Sequence, residues 1–523
     1  MKKFLFLFLL PLQLFSQSIS PQWIRTVSDT ILPGDFLPGD VKADNNGNVY
    51  TLSYLRHSLG QHTLLIQKYD AGGTLQWRDS IPSVRQYGKL SIIPSGSIII
   101  AYSGAPIAFG ELDIAVTSYS PNGMRQWTSF FDSSPVYNND MFTAMVTDTS
   151  GSVYVSSQSY NSSNTTGFIV KCDSAGNLLW SDSVAVANQN IIPEDIAVDR
   201  QGYLYVALEI TDLTSQASDG EVIKYLPTGQ RQYQIPFNTG YDEHFRFIRV
   251  YNDTSIYVGG FVGSIMSNHP VVIKYDSTGA LKFFSGFHPQ VYYNYQVMDA
   301  MNNIYYMAVD PNGNICLGGE FLTNTSIARA GIVQFTNQGG LGWVNSPFLN
   351  GYVTEMEFNS TGNLFVTGIY DDSTILHTMF LSKLDTVGNT IWNDNHYGLF
   401  ADPALSINPY EEIFLFNIDY TVNANEIYTI KYGSTTAISE EENEIVATVY
   451  PNPFSIDINF VVPLNDFINS VELINVQGQR VLYSTGINAN SYHLNRGDLC
   501  NGVYFYSLIL ESGKVCRGKI VAF

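Results

Sequence analysis

The chain has 523 residues, 47 of them acidic and 26 basic, so its net charge is −21 at neutral pH. This charge repels phosphate backbones and argues against nucleic acid as a partner. Hydrophobic residues make up 45% of the chain, which excludes wholesale disorder. Charged and aromatic residues each make up 14%, and a charge-poor, aromatic-rich composition favours half-buried β-strands.

The first predicted element is a short apolar segment at the N-terminus. Two lysines precede an apolar run over residues 4–15, which Pro11 interrupts and Ser16 follows. A membrane-spanning helix needs about 20 apolar residues, so this run is too short to be one. A basic start, a short apolar run and a small residue predict a secretory signal peptide over residues 1–18.

Residues 19–433 contain a repeat with a period of about 50 residues. Each copy has two Gly-containing turns between apolar strands, the first pair being Asp44–Asn48 and Asp70–Thr74. The strand after the second turn reaches an aromatic residue, first at Trp77. Later copies of this aromatic are predicted at Trp127, Trp180, Tyr233, Phe284, Trp343 and Trp392. Two hairpins per copy give four strands, as in a β-propeller blade.

The Asp and Gly residues of these turns have a local role. Asp or Asn accepts hydrogen bonds from the turn amides, and Gly adopts the positive φ that the hairpin needs. Calcium binding is the alternative interpretation, but such a short loop supplies too few oxygen ligands.

The last copy lacks its fourth strand. It ends at Ile430–Tyr432, and the missing aromatic strand is found at the other end of the repeat region, around Trp23. This strand is predicted to complete the last sheet and close the ring, which removes the open edges of a linear array. The sequence therefore predicts an all-β, eight-bladed propeller. Seven blades is the alternative, if the irregular copy at 285–320 or the degenerate copy at 400–432 does not form a blade.

The repeat resembles a known family. The patterns Asp-x-x-Gly-Asn-x-Tyr-Val and Ile-x-Lys-Tyr-Asp over residues 21–433 resemble the bacterial β-propeller repeats often described as seven-bladed. The resemblance implies the fold but not an activity, because propellers support many functions.

The pattern changes after the repeats. Residues 434–446 are polar and acidic, which predicts a linker. Residues 447–523 contain short alternating strands joined by Gly turns, which favour a small Ig-like β-sandwich. The sequence does not decide whether Cys500 and Cys516 in this part form a disulfide. The remaining cysteines, Cys172 and Cys316, are far apart in the sequence, and none of the four has metal-site spacing.

Residues 447–523 resemble the C-terminal sorting domain of the type IX secretion system of Bacteroidetes-type bacteria. The matching motif residues are Pro451, Asn452, Pro453, Phe454, Gly478, Gln479, Gly502, Tyr504 and Lys519. Cys500 stands where the family commonly has Pro. The resemblance implies the secretion machinery and its sortase-like protease as partners. It also implies a secreted or outer-membrane surface location, with attachment to lipopolysaccharide as one outcome and release as the other.

The predicted binding surface is the face with the long connections. In four-stranded meanders the two tight turns lie on one face, and the longer connections, such as Glu209–Glu221 and Gly286–Asn303, lie on the other. Long loops on a rigid scaffold commonly carry binding sites. The predicted ligand-binding residues on this long-loop face are Tyr241, His244, His288, Tyr292, Tyr293, Tyr295, His396 and Tyr397.

Two classes of function stay open. The first is a non-enzymatic propeller that binds protein or glycan through the long-loop face. The second is a secreted hydrolase or lyase acting on polysaccharide or peptide. The sequence contains no hydrolase, zinc-protease or nucleotide-binding motif, and no cofactor is implied. Paired carboxylates beside the channel favour the enzyme, an aromatic face favours the binding protein, and convergence of His244, His288 and His396 indicates a metal.

Overall fold

The computed structural model describes most of the chain. The described residues are 19–28, 35–56, 62–85, 88–106, 111–133, 139–160, 164–264, 267–286, 298–323, 328–371, 377–398, 400–420, 426–433, 447–462, 467–475, 480–497, 499–511 and 515–523. Contacts divide the chain into two units, Met1–Ala437 and Ile438–Phe523. Within the described part, no helix is long and apolar enough to cross a membrane.

Strands make up the regular structure of the first unit. Its first half contains β1 Pro21–Ser28, β2 Asp35–Ala43, β3 Val49–Arg56, β4 His62–Tyr69, β5 Leu75–Val84, β6 Lys89–Ile92, β7 Ile98–Gly104, β8 Asp113–Tyr119, β9 Arg125–Phe131, β10 Asn139–Thr147, β11 Val153–Tyr160, β12 Thr165–Cys172, β13 Leu178–Val184, β14 Gln189–Val198, β15 Leu204–Asp212, β16 Ser218–Tyr225 and β17 Arg231–Phe237. Its second half contains β18 Asp242–Tyr251, β19 Ser255–Ser264, β20 Ser267–Asp276, β21 Leu281–Gly286, β22 Met298–Val309, β23 Ile315–Thr323, β24 Ala328–Phe335, β25 Leu341–Leu349, β26 Gly351–Phe358, β27 Leu364–Tyr370, β28 Thr378–Leu384, β29 Thr390–His396, β30 Ala404–Ile407, β31 Ile413–Asp419 and β32 Glu426–Tyr432.

These strands form antiparallel four-strand groups of the kind found in propeller blades. We number the groups in chain order: group 1 is β2–β5, group 2 is β6–β9, group 3 is β10–β13, group 4 is β14–β17, group 5 is β18–β21, group 6 is β22–β25, group 7 is β26–β29, and group 8 is β30–β32 with β1. A single pairing, between Val84 and Gly104, joins groups 1 and 2 into one eight-stranded sheet.

The N-terminal strand completes group 8. Strand β1 pairs antiparallel with β32, with Trp23 opposite Lys431 and Ile24 opposite Ile430. The sequence-based prediction for the strand around Trp23 is confirmed. The pairing joins the two ends of the repeat region, so the edge strand of group 8 is covered by the chain's own N-terminal segment.

Apolar side chains form one core between each pair of neighbouring groups. Strands present alternate residues to opposite faces, so the central strands of each group contribute to two cores. Between groups 1 and 2, for example, Leu52 and Ile66 pack with Ile100. The same arrangement joins group 8 back to group 1, where Phe414 and Ile427 pack with Val41. The cores therefore follow a closed ring.

The turn residues have the local role predicted for them. In the first turn of group 1, Asp44 Oδ1 accepts hydrogen bonds from the amides of Asn46 and Asn48, both at 2.9 Å. Gly47 adopts a φ of 75°. The Tyr of the motif also has a function, because the Tyr154 hydroxyl donates to Asp148 Oδ2 at 3.1 Å in the equivalent turn of group 3.

In most groups, the repeated aromatic packs against the turn glycine of the next group. The Trp77 indole Nε1 donates to the Pro121 carbonyl at 3.0 Å, and the ring packs on Gly123, whose φ is 85°. The same packing recurs for Trp23 on Gly73, Trp127 on Gly176, Trp180 on Gly229, Phe283 on Gly339 and Trp343 on Gly388. One assignment from the sequence was wrong: the aromatic of group 5 is Phe283, because it pairs with Lys274 as Trp77 pairs with Lys68, whereas Phe284 is half-exposed.

The second unit contains two antiparallel sheets. Its strands are β33 Thr448–Tyr450, β34 Asp457–Val461, β35 Ile468–Asn475, β36 Arg480–Ala489, β37 Ser491–Asn495, β38 Gly502–Leu510 and β39 Val515–Ala522. The sheet orders are β33-β34-β37 and β36-β35-β38-β39. They share one core, which includes Phe454, Phe460 and Leu508. Cys500 is exposed, Cys516 is buried, and neither forms a disulfide.

The sorting-motif residues tie the start of this unit to its last strand. Asn452 accepts the Val521 amide at 2.9 Å and donates its side-chain amide to the Lys519 carbonyl at 2.9 Å. Phe454 is buried, and its amide donates to the Val521 carbonyl. Tyr504 donates to the Cys500 carbonyl at 2.9 Å. Gly478 and Gln479 lie outside the described residues.

Candidate functional site: the central channel

The first strands of all eight groups line one cavity of about 1030 Å³, which we call the central channel. A first strand is an edge strand, and a bulge interrupts the pairing at an equivalent place in six of the groups. The extra residue of a bulge is unpaired, and it turns its side chain out of the regular alternation. The bulge residues are Gly39, Thr143, Glu194, Arg246, Tyr305 and Thr354, and all of them line the channel.

The acids that follow three of these bulges bond to the neighbouring group. Asp40 Oδ2 accepts the amide of Leu90, in the first strand of group 2, at 2.9 Å. An edge strand leaves such amides without ladder partners, and burying them unpaired is costly. The same bond recurs from the Ile248 amide to Asp195 at 3.0 Å and from the Leu405 amide to Glu355 at 2.6 Å. These carboxylates therefore have a structural role in holding the ring together.

A belt of charged residues crosses the channel at this level, and we call it the charged belt. Lys42 contacts Asp40 at 3.1 Å. Burial opposes the charge on Lys42, but attraction to Asp40 and Glu355 outweighs it and raises the pKa of the lysine. Arg249 pairs with Asp195. The pKa of Arg249 is raised as well, because attraction to Asp195 exceeds the opposing effect of burial.

Glu357 lies two residues after Glu355 on β26 and is a third acid of the charged belt. Burial raises the pKa of Glu357 to about 7, although attraction to Lys42 lowers it, and repulsion by Glu355 adds to the rise. One oxygen of Glu357 accepts the Ile407 amide at 2.9 Å. The pKa of Glu355 is also raised, chiefly by burial. A carboxyl group with a pKa near neutrality can exchange a proton at physiological pH.

Nearer the long-loop face, a second polar cluster lies between groups 4 and 5. Arg246 Nη1 contacts Glu194 at 2.5 Å, and its Nη2 lies 3.5 Å from Glu209. His244 Nδ1 lies 3.1 Å from Glu209, and the His244 ring packs on Phe261 at a centroid distance of 4.7 Å. Of this cluster, Glu194 and Arg246 line the channel, and Glu209 and His244 join it through the contact of Glu209 with Arg246.

Two tyrosines, from groups 6 and 7, form an aromatic wall that lines the same channel. The rings of Tyr305 and Tyr352 have a centroid distance of 5.4 Å and an interplanar angle of 49°. The Tyr352 hydroxyl donates to Asp402 Oδ1 at 2.7 Å, which fixes the ring, and Tyr305 is 40% exposed. We call the aromatic wall and the polar cluster together the channel mouth.

The histidines and tyrosines predicted from the sequence to bind a ligand do not form one site in the structure. Tyr241 and Tyr397 are 69% and 61% exposed. His244 belongs to the channel mouth, whereas His396 bonds to the Tyr432 hydroxyl at 2.6 Å. Within the described residues, neither histidine belongs to a group of side chains that could hold a metal ion. Four further predicted residues lie outside the described part: His288, Tyr292, Tyr293 and Tyr295.

Sequence analysis missed the residues of the channel. The available signal was charge inside apolar strands, as in Asp40-Val41-Lys42 and Glu355-Met356-Glu357. Charged residues at alternate positions face the same side of a strand, so they mark the face that meets water or ions. The signal is hidden where the bulge residue is itself the charged one, as at Glu194 and Arg246, because that residue stands outside the regular alternation.

Comparison with protein families places the C-terminal part. Residues 448–522 match the family described as "Secretion system C-terminal sorting domain". The protein is exported. This domain indicates export to the cell surface or the medium and interaction with the type IX secretion machinery. A short segment, residues 182–209, matches the family described as "Strictosidine synthase-like, N-terminal". No curated protein sequence matches the chain.

Several solved structures are similar to this chain in fold. The polysaccharide lyase Uly1 is 11% identical, with 78% of this chain and 91% of that chain covered and a TM-score of 0.42. A puromycin hydrolase is 13% identical, with 73% and 58% covered and a TM-score of 0.43. A protein of unknown function from Bacteroides caccae is 13% identical, with 54% and 90% covered and a TM-score of 0.32.

Proposed function

We propose that this protein is a non-enzymatic, eight-bladed β-propeller that binds an extracellular glycan at the channel mouth. Each four-strand group is one blade in this proposal, and β1 completes the eighth. The domain layout that we propose is a signal peptide over residues 1–18, the propeller over 19–433, an acidic linker over 434–446 and the sorting domain over 447–523. Segments 1–18 and 434–446 lie outside the described residues.

The observation that carries the proposal is that an aromatic wall and a polar cluster line the same cavity. Sugar rings present apolar C–H faces that stack on aromatic side chains, and hydroxyl groups that need hydrogen-bond partners. The rings of Tyr305 and Tyr352 supply the first, and Arg246 with Glu194 and Glu209 supplies the second. A concave site with a few convergent polar groups is the usual form of a small-ligand site.

Glycan binding fits this site better than protein binding does. A stable protein interface needs a buried apolar centre with a large contact area. The channel mouth is concave, and charged groups line much of it. Tyr241 and Tyr397 on the same face are exposed aromatic residues that extend the surface available to a longer glycan.

Catalysis is the second candidate function, and one observation favours it. Glu357 has a pKa of about 7 and lies near a second perturbed carboxyl, Glu355. Paired carboxyl groups of this kind can act as general acid and base on a glycosidic bond. Against this, one oxygen of each group already accepts a backbone amide of group 8, from Leu405 and Ile407. These bonds give both carboxyl groups a structural role in holding the ring together, which favours the non-enzymatic function.

The test uses the full chain and a panel of soluble polysaccharides, with binding measured by calorimetry. Tyr305→Ala and Tyr352→Ala remove the aromatic wall, and we expect either one to weaken binding at least tenfold, the equivalent of about 1.4 kcal/mol. Tyr160→Ala is the matched control, because Tyr160 is an exposed tyrosine at the end of β11 on the long-loop face. Equal binding by all variants would contradict the proposal.

The catalytic alternative has its own readout. The same polysaccharides are incubated with the full chain, and new reducing ends and unsaturated products are measured. Turnover that Glu357→Gln abolishes would replace the binding proposal with a hydrolase or lyase. Binding to the panel without product release supports the non-enzymatic function.

A further inference from the structure

A buried and a partly buried carboxyl group meet where group 4 joins group 5. Asp219 is the second residue of β16, and Glu243 is the second residue of β18. Glu243 is fully buried, and its Oε2 atom has no hydrogen-bond partner among the described residues. The carboxyl groups of Asp219 and Glu243 lie within hydrogen-bonding reach of each other.

The other oxygens of this pair already have donors. Thr239 donates to Glu243 Oε1 through its amide, at 2.8 Å, and through its hydroxyl. The side-chain amide of Asn238 donates to Asp219 Oδ1 at 2.6 Å. Among the described residues, Glu243 Oε2 and Asp219 Oδ2 are the oxygens of this pair without a hydrogen-bond donor. Two carboxylate oxygens in contact repel unless a proton or a cation lies between them.

A third acid, Asp242, adds negative charge beside Asp219 and Glu243. Asp242 accepts the Ser218 amide at 3.2 Å, and its charge acts on Asp219. Among the described residues, neither Asp219 nor Glu243 forms an ion pair with a lysine or arginine, and the nearby Arg246 pairs with Glu194 and Glu209. The pair therefore lacks the positive side chain that usually compensates a buried carboxylate.

The junction between groups 2 and 3 has a related construction, except that both oxygens of Asp140 accept hydrogen bonds. Asp140, the second residue of β10, is fully buried and accepts the amide and the hydroxyl of Ser133 at 2.9 and 2.6 Å, as Glu243 does from Thr239. Asp113, at the start of β8, corresponds to Asp219, and Asp132 corresponds to Asn238. The oxygens of Asp113, Asp132 and Asp140 lie within 4.8 Å of one another. Three carboxyl groups carry more charge than one shared proton removes, so a cation fits this construction better.

We propose that the junction of groups 4 and 5 is a divalent-cation site in which Asp219 and Glu243 bind the ion directly. The donors are all oxygen atoms, which suit a hard cation such as Ca²⁺. Extracellular calcium is abundant enough for weak sites, with dissociation constants on the order of 10⁻⁴–10⁻³ M, to be occupied. The ion would join β16 of one group to β18 of the next, which stabilises the ring beside the channel mouth.

The test is calcium titration of the full chain by calorimetry at neutral pH, after treatment with a chelator. Wild type is expected to bind calcium and to melt at a higher temperature with calcium than with chelator. Glu243→Gln is expected to lose one bound calcium equivalent and part of this melting shift. Asp219→Asn gives the same result if the first variant does not fold.

Glu221→Gln is the matched control, because Glu221 lies on the same strand and accepts a hydrogen bond from Gln234. It should bind calcium as wild type does. The proposal is overturned if wild type binds no calcium, or if Glu243→Gln retains the wild-type stoichiometry. Absence of calcium binding, together with a higher melting temperature of Glu243→Gln in chelator, would identify a shared proton in place of the ion.

Discussion

Replacing Gly123 by Ala tests whether the repeated aromatic and the turn glycine hold neighbouring groups together. Gly123 has a φ of 85°, and an added Cβ would lie 2.6 Å from Cγ and Cδ2 of Trp77. The left-handed backbone costs a non-glycine residue about 1–2 kcal/mol. Overpacking against a fixed ring costs roughly 1–3 kcal/mol more. We therefore expect Gly123→Ala to lower the free energy of unfolding by about 2–5 kcal/mol.

Gly240→Ala separates the two contributions. Gly240 has nearly the same φ, 87°, but nothing lies within 4 Å of its added Cβ. This variant should lose only the backbone part, about 1–2 kcal/mol. The difference between the two variants measures the contact between group 1 and group 2.

Denaturant unfolding followed by tryptophan fluorescence is the appropriate assay. All six tryptophans lie in the first unit: Trp23, Trp77, Trp127, Trp180, Trp343 and Trp392. The signal thus reports on the ring without the sorting domain. Equal losses for Gly123→Ala and Gly240→Ala would refute the inferred role of the Trp77 contact. A second check is Gly123→Ala in a Trp77→Leu background, where the smaller side chain should relieve most of the extra cost.

Three further predictions concern the channel, the ring closure and export. Folding raises the pKa of Glu357 from 4.5 to about 7, so the folded protein binds a proton at Glu357 more tightly than the unfolded chain does. The folded state therefore loses stability as the pH rises from about 4.5 to about 7. In the Glu357→Gln variant, the free energy of unfolding should fall by roughly 1–3 kcal/mol less than in wild type between about pH 4.5 and 7. An unchanged pH profile contradicts the raised pKa of Glu357. Deleting residues 21–30 exposes the β32 edge and should promote aggregation, measured by light scattering; a monomeric product contradicts the closure argument. Deleting Ala447–Phe523 should leave a folded ring in the periplasm, and normal surface levels would contradict the sorting role.

Local sequence patterns determined much of this protein. The Asp and Gly turns specify hairpins through bonds within five residues, as at Asp44–Asn48, so a repeat of hairpins could be predicted without any long-range information. The position of Trp23 predicted the closing strand, because a missing strand and a spare strand of the same pattern occur at the two ends. The sorting domain could be predicted from short motifs, because their order between Pro451 and Lys519 is the order found in that family.

Only the tertiary structure decided which side chains meet across the ring. A bulge adds one unpaired residue and reverses the alternation, so the inward position of Glu194 or Tyr305 does not follow from periodicity. The choice of Phe283 over Phe284 depends on pairing with Lys274, a register that two adjacent aromatics leave undetermined. The contact of Asp219 with Glu243 joins neighbouring groups, and it exists because the packing of group 4 against group 5 brings β16 next to β18.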